Sequence, residues 1–136
     1  MPVNNNVDTI TTTTKGFLYD SVFVKNFSKG TYYAYDCQKK GGSGRSLIDC
    51  SVGNDLVKGS IASSYLYLNY GYNYNGKRTM VYLEVDGYPE MNGHYFLDDS
   101  NSFSHKNVID FYYTYESSCP FSKQGVVSVD CWIVAY

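Results

Sequence analysis

Residues 75–85, reading NGKRTMVYLEV, constrain the chain more than any other stretch. Asn-Gly is the dipeptide that best accepts positive φ at both central positions of a two-residue hairpin turn. Behind it, Thr79, Val81, Leu83 and Val85 alternate with Arg78, Met80, Tyr82 and Glu84. A period of two places the first set on a core face and the second on the opposite face. A strand with one buried face needs neighbours to bury it, so this segment commits the chain to a sheet.

The same period runs along most of the sequence. Residues 17–25 alternate Phe17, Tyr19 and Phe23 against Leu18, Val22 and Val24. Residues 26–30 read as a turn, and residues 31–37 as a second strand of aromatic and β-branched type. Further strands are expected over 46–52, over 61–74 leading into the Asn75-Gly76 turn, and over 94–98. The last two are 108–116 and 126–136, with Val127, Val129, Cys131, Ile133 and Ala135 inward. No window sustains helical periodicity. About eight short strands separated by turns predict an all-β, single-domain antiparallel β-barrel or β-sandwich. Residues 1–15, with Asn4-Asn5-Asn6 and four consecutive threonines, are expected to be a flexible or edge segment; residues 16–136 form the domain.

Composition narrows function by exclusion. The 136 residues suffice for one core, and 43% hydrophobic against 18% charged residues is incompatible with a disordered chain. With 11 Lys+Arg against 13 Asp+Glu, the basic footprint of a nucleic-acid binder is missing. No apolar run approaches the roughly 18 residues of a membrane span.

Four cysteines, Cys37, Cys50, Cys119 and Cys131, allow three pairings. Each sequential pair brackets a turn-rich segment, Gly41-Gly42-Ser43-Gly44 in the first and Pro120 to Gly125 in the second. Cys37–Cys50 and Cys119–Cys131 disulfides are therefore expected, each stabilising by roughly 3 kcal/mol. Free buried thiols are the alternative; zinc usually wants knuckles of closer spacing than either pair has. Disulfides imply an oxidising compartment. Residues 1–6 lack the basic and apolar regions of a signal peptide, so secretion is expected with a leader already removed. Asn26-Phe27-Ser28 is the one glycosylation sequon, placing a candidate glycan on Asn26.

Chemistry-bearing residues are sparse. Arg78 and Glu84 share a strand face and His94 opens the next strand, which sketches a ribonuclease-like trio; an amphipathic strand presents such residues on its solvent side anyway. Asp98-Asp99 with Asn101 reads as a solvated acidic turn rather than a calcium loop. His94 and His105 stand in no metal-ligand spacing with the cysteines. No catalytic residue, metal or cofactor is expected.

The surplus is tyrosine: 16 Tyr beside 7 Phe and 1 Trp. Tyrosine crowds three predicted strands on both faces, so some of it must reach the surface. There it offers a large apolar area, few rotors and one hydroxyl, which suits protein partners and sugar rings. Tyr65, Tyr67, Tyr82 and Tyr112 are the candidate binding surface.

The entry Phe23-Val24-Lys25-Asn26-Phe27-Ser28-Lys29-Gly30 into Cys37, the Cys37-to-Cys50 loop and the Cys119-to-Cys131 loop before the last strand resemble the major Alternaria allergen family of small secreted fungal β-barrel proteins. The stretch between the second and third cysteines is longer than that pattern, and no cysteine precedes Cys37, so a covalent dimer is not implied. The resemblance implies a secreted, non-enzymatic effector that binds a host protein, as a monomer or non-covalent dimer. A ribonuclease-like enzyme using Glu84, Arg78 and His94, or a lectin-like module for glycans, are the alternatives.

Overall fold

The computed structural model describes residues 9–34 and 40–135. Nine strands occur among them: β1 (Thr9–Thr14), β2 (Phe17–Ala34), β3 (Gly59–Ala62), β4 (Asn73–Tyr74), β5 (Lys77–Arg78), β6 (Met80–Val85), β7 (Gly93–Asp99), β8 (Val108–Tyr113) and β9 (Val127–Val134). One helix, α1 (Ser64–Tyr70), follows β3. Six strands close a barrel in the order β2-β8-β3-β7-β6-β9, with β9 returning to β2; β1 hangs on the outer edge of β2. The expected barrel is present, but it is not antiparallel throughout. β2 runs parallel to β8, and β3 parallel to β7. Parallel neighbours need long crossovers, and those crossovers carry the loops over the barrel wall.

The core is the inward set of a period-two pattern. Val81, Leu83 and Val85 on β6, Ile109, Phe111 and Tyr113 on β8, and Val127, Val129, Cys131 and Ile133 on β9 share one buried cluster. The Asn75-Gly76 turn forms as the dipeptide requires, with φ of 53° and 77°.

Three element expectations are corrected. Residues 26–30 are no turn: β2 runs 18 residues from Phe17 to Ala34. It bends instead of stopping, through register shifts between Phe23 and Lys25 and between Phe27 and Gly30. Gly30 permits the bend, because a Cβ there would stand 2.6 Å from Val129 Cγ2. Residues 61–74 are not one strand. Ser63 accepts from the Leu66 amide and starts α1, and Gly71, at φ 72°, ends it. A helix of seven residues is marginal alone; burying Leu66 in the barrel core holds it in place. Residues 46–52 form no strand beyond a single bridge between Lys40 and Ser46.

The Cys119–Cys131 disulfide is also corrected: both thiols are free and buried, and Cys50 is free as well. Cys37 lies outside the described residues. Similar loop length does not bring the second pair together. Phe121 is fully buried and packs against Phe111 at 6.0 Å between ring centroids, which anchors the intervening loop. Cys119 is left beside Tyr113 and Cys50, while Cys131 lies towards Tyr70. Burial pushes all three thiols up, Cys119 to about 11. No helix among the described residues is long and apolar enough to cross a membrane.

Candidate functional site

The outer face of the β2-β8-β3-β7 wall carries polar side chains where it meets α1. Its anchor is Asp98, which is fully buried. Arg78 grips it bidentately, Nε to Oδ1 at 2.9 Å and Nη2 to Oδ2 at 2.6 Å. Ser60 Oγ donates to Oδ2 at 2.6 Å and accepts from the Ile48 amide at 2.8 Å. The guanidinium also lies 4.0 Å from the Phe96 ring centroid. A buried carboxylate needs such complete pairing, and the result is a rigid end to β7.

Rigidity at Asp98 positions its neighbour. A register irregularity between Ile61 and Ala62 sets Asp99 opposite Ala62. Asp99 Oδ1 accepts from the amides of Gly42 and Ser100, each at 3.0 Å, and Oδ2 accepts from the Tyr33 hydroxyl at 3.3 Å. On β8, Asp110 accepts from the Thr31 hydroxyl and, at 3.0 Å, from Asn101 Nδ2. Asn101 Oδ1 in turn accepts from the Ser64 amide at 3.0 Å, tying the cluster to the start of α1. Tyr33 stands between the two carboxylates. Burial first, then the nearby charges of Asp99 and Asp110, push its hydroxyl far above the usual tyrosine range, so it remains a donor. Asp99, Asn101 and Asp110 are all half-buried and reach solvent.

Aromatic rings adjoin Asp99. Tyr72 lies against Gly42, where a Cβ would stand 2.3 Å from the tyrosine hydroxyl. Burial raises the Tyr72 hydroxyl; a bond from Ser100 and the charge of Asp99 act on the same group. Tyr67 of α1 packs on Tyr72 at 4.5 Å between centroids and lies nearly parallel to Phe103, 6.3 Å away at 19°. Phe103 is 58% exposed and Leu68 62%. The result is a half-open aromatic shelf that ends at a carboxylate. Chemically it offers flat apolar faces beside fixed acceptors and one amide. Among the described residues, no group of three or more His, Cys, Asp or Glu is placed to hold a metal ion.

The residues named from sequence are dispersed. Tyr67 lies in the shelf. Tyr65 packs edge-on against Phe27 at 5.9 Å, under the Lys25 ammonium at 4.6 Å. Tyr82 stands between His94 and Trp132, at 5.3 and 5.8 Å. Tyr112 is 1% exposed, against Tyr33. Asn26 is exposed in mid-strand, its amide donating to Ser128 and Asp130 at 2.8 Å each. Arg78, Glu84 and His94 do not converge on one another: Arg78 is held by Asp98, Glu84 is exposed opposite Asp130, and His94 is buried with both ring nitrogens bonded to threonines. Burial pushes His94 down to about 4. Asp99 and Asn101 carry a faint signal in the acidic turn at 98–101, and Asp110, inside an expected strand, carries none. Tyr33 carried none that set it apart from its neighbours.

No protein-family model matches the chain, and neither does any curated protein or solved structure.

Proposed function

We propose that the protein is a carbohydrate-binding β-barrel domain, with a sugar chain lying on the Tyr67–Tyr72–Phe103 shelf and its hydroxyls meeting Asp99, Asn101 and Asp110. One observation carries this reading: the rings of Phe103, Tyr67 and Tyr72, exposed at Phe103 and half-buried at the two tyrosines, run directly to the half-buried carboxylate of Asp99, whose charge acts on the Tyr72 hydroxyl. Pyranose rings have an apolar face that stacks on aromatics and a rim of hydroxyls that need fixed, pre-paired acceptors. Each acceptor here is already oriented by other bonds, so binding sacrifices little side-chain entropy.

The test is a glycan array followed by calorimetry with the best soluble oligosaccharide. Saturable binding is expected, weakened about tenfold, or about 1.4 kcal/mol, by Phe103→Ala and by Asp99→Asn. Absence of any glycan hit, or unchanged affinity in Phe103→Ala, would sink the proposal. The exposure of Leu68 and Phe103 together favours, as a second reading, a secreted effector that docks a host protein on the same shelf. Binding of a protein partner that Leu68→Asp abolishes, with no glycan hit, would support that reading instead.

A further inference from the structure

A polar cavity of about 440 Å³ lies beside the start of β7, at the other end of that strand from Asp98 and Asp99, under the β1–β2 turn. Its walls include Lys15 at the turn, Lys58 before β3, and Tyr82 and His94 on the barrel. Two lysines line one cavity, and among the described residues Asp55 is the only carboxylate on its walls. Neither lysine is in an ion pair among the described residues, whose one salt bridge is Arg78–Asp98. In a chain of net charge −2, this pairing of cations is a local exception.

Lys58 is held in place, and the hairpin that carries the exposed Lys15 is anchored. The Lys58 amide donates to the His94 carbonyl at 2.8 Å, and its side-chain stem lies so close to Gly93 that a Cβ there would stand 2.5 Å from Lys58 Cε. Lys15 follows Thr14 directly, and the hairpin is clamped to the cavity floor by Thr12 and Thr14 hydroxyls at 2.7 and 2.5 Å from the His94 ring nitrogens. With both nitrogens engaged, His94 is a wall and leaves the cavity's positive charge to the lysines.

Lys15 is also the wrong residue for its turn. It sits at φ 44° ahead of Gly16 at 86°, the same conformation as the Asn75-Gly76 turn. Asparagine, aspartate or glycine suits that first position, whereas other side chains are strained there. A lysine in a strained conformation that asparagine would adopt more easily points to a use for its charge.

We propose that this cavity binds a small oxyanion, a phosphate or carboxylate group, between Lys15 and Lys58. The group is either a free ion or the anionic end of a larger ligand. The experiment is an amide chemical-shift titration of the intact protein with inorganic phosphate and, separately, with acetate, at constant ionic strength. Saturable shifts at Gly16 and Gly93, with Kd near or below about 1 mM, are expected with at least one of the two. A response to phosphate alone assigns the site to phosphoryl groups; a response to both assigns it to oxyanions generally. Lys15→Asn, which suits the turn, should raise the melting temperature and weaken binding about tenfold. Lys58→Met, which keeps the stem against Gly93, should weaken it similarly. Linear, unsaturated drift with both ions, or undiminished binding in Lys15→Asn, overturns the proposal.

Discussion

Lowering the pH should loosen this protein through His94. The ring is 2% exposed, caged between Tyr19 and Tyr82 at 5.3 Å each, and bonded to Thr12 and Thr14. Burial disfavours its charged form and pushes it from 6.5 down to about 4. The unfolded chain therefore binds a proton at His94 between these values and the folded chain does not. Stability contributed by the neutral ring is full above pH 6.5, declines as pH falls towards 4, and changes no further below that. The difference of about 2.5 units sets a ceiling near 3.4 kcal/mol at about 1.36 kcal/mol per unit. The threonine hydroxyls can turn to accept from a protonated ring, so about 2 kcal/mol is the expected loss. Carboxylates titrate in the same range, so the assay must be differential. Urea unfolding of wild type and His94→Gln would be compared at pH 7.5, 6, 5 and 4. The wild type should lose its advantage over the variant as pH falls. A constant gap between the two across that range refutes the argument that burial of a neutral imidazole supports the hairpin.

Two further outcomes follow from the same structure. Arg78→Leu should cost about 3–5 kcal/mol, because it strands the fully buried Asp98; adding Asp98→Asn should recover part of that in urea unfolding, and full additivity would argue against a coupled pair. Cys50, Cys119 and Cys131 should react with iodoacetamide only after denaturation and without any reductant, read as intact mass, because burial raises all three thiols and suppresses thiolate.

Much of the barrel was legible because its strands obey one rule. The inward residues of β6, β8 and β9 follow directly from alternation, and the turn at Asn75-Gly76 follows from local backbone chemistry. The helix was not legible. Tyrosine at every second position from Tyr65 to Tyr67 and from Tyr70 to Tyr74 imitates a strand, and the Ser63 cap and Gly71 stop are short-range signals that the aromatic pattern masks. The disulfide expectation failed for a related reason. Loop length measures reach along the chain, whereas Phe121 burial decided where that loop could go.

The site shows the same division more sharply. Tyrosine abundance pointed to a binding surface, yet Tyr65, Tyr82 and Tyr112 are taken up by packing, and only Tyr67 joins the shelf. Asp99 and Asp110 are separated by a polar loop, and Tyr33, which joins them, lies 66 positions before Asp99. No local pattern relates such residues.

What the sequence determined by itself was the inward faces of β6, β8 and β9 and one hairpin turn, because side-chain alternation and turn preference act over a few residues. Tertiary structure alone decided which strands run parallel, which thiols stay apart and which tyrosines remain exposed. Those depend on how a closed barrel distributes space among distant segments, and the two parallel pairings are what carry the loops and α1 to the wall where Asp99 meets the aromatic shelf.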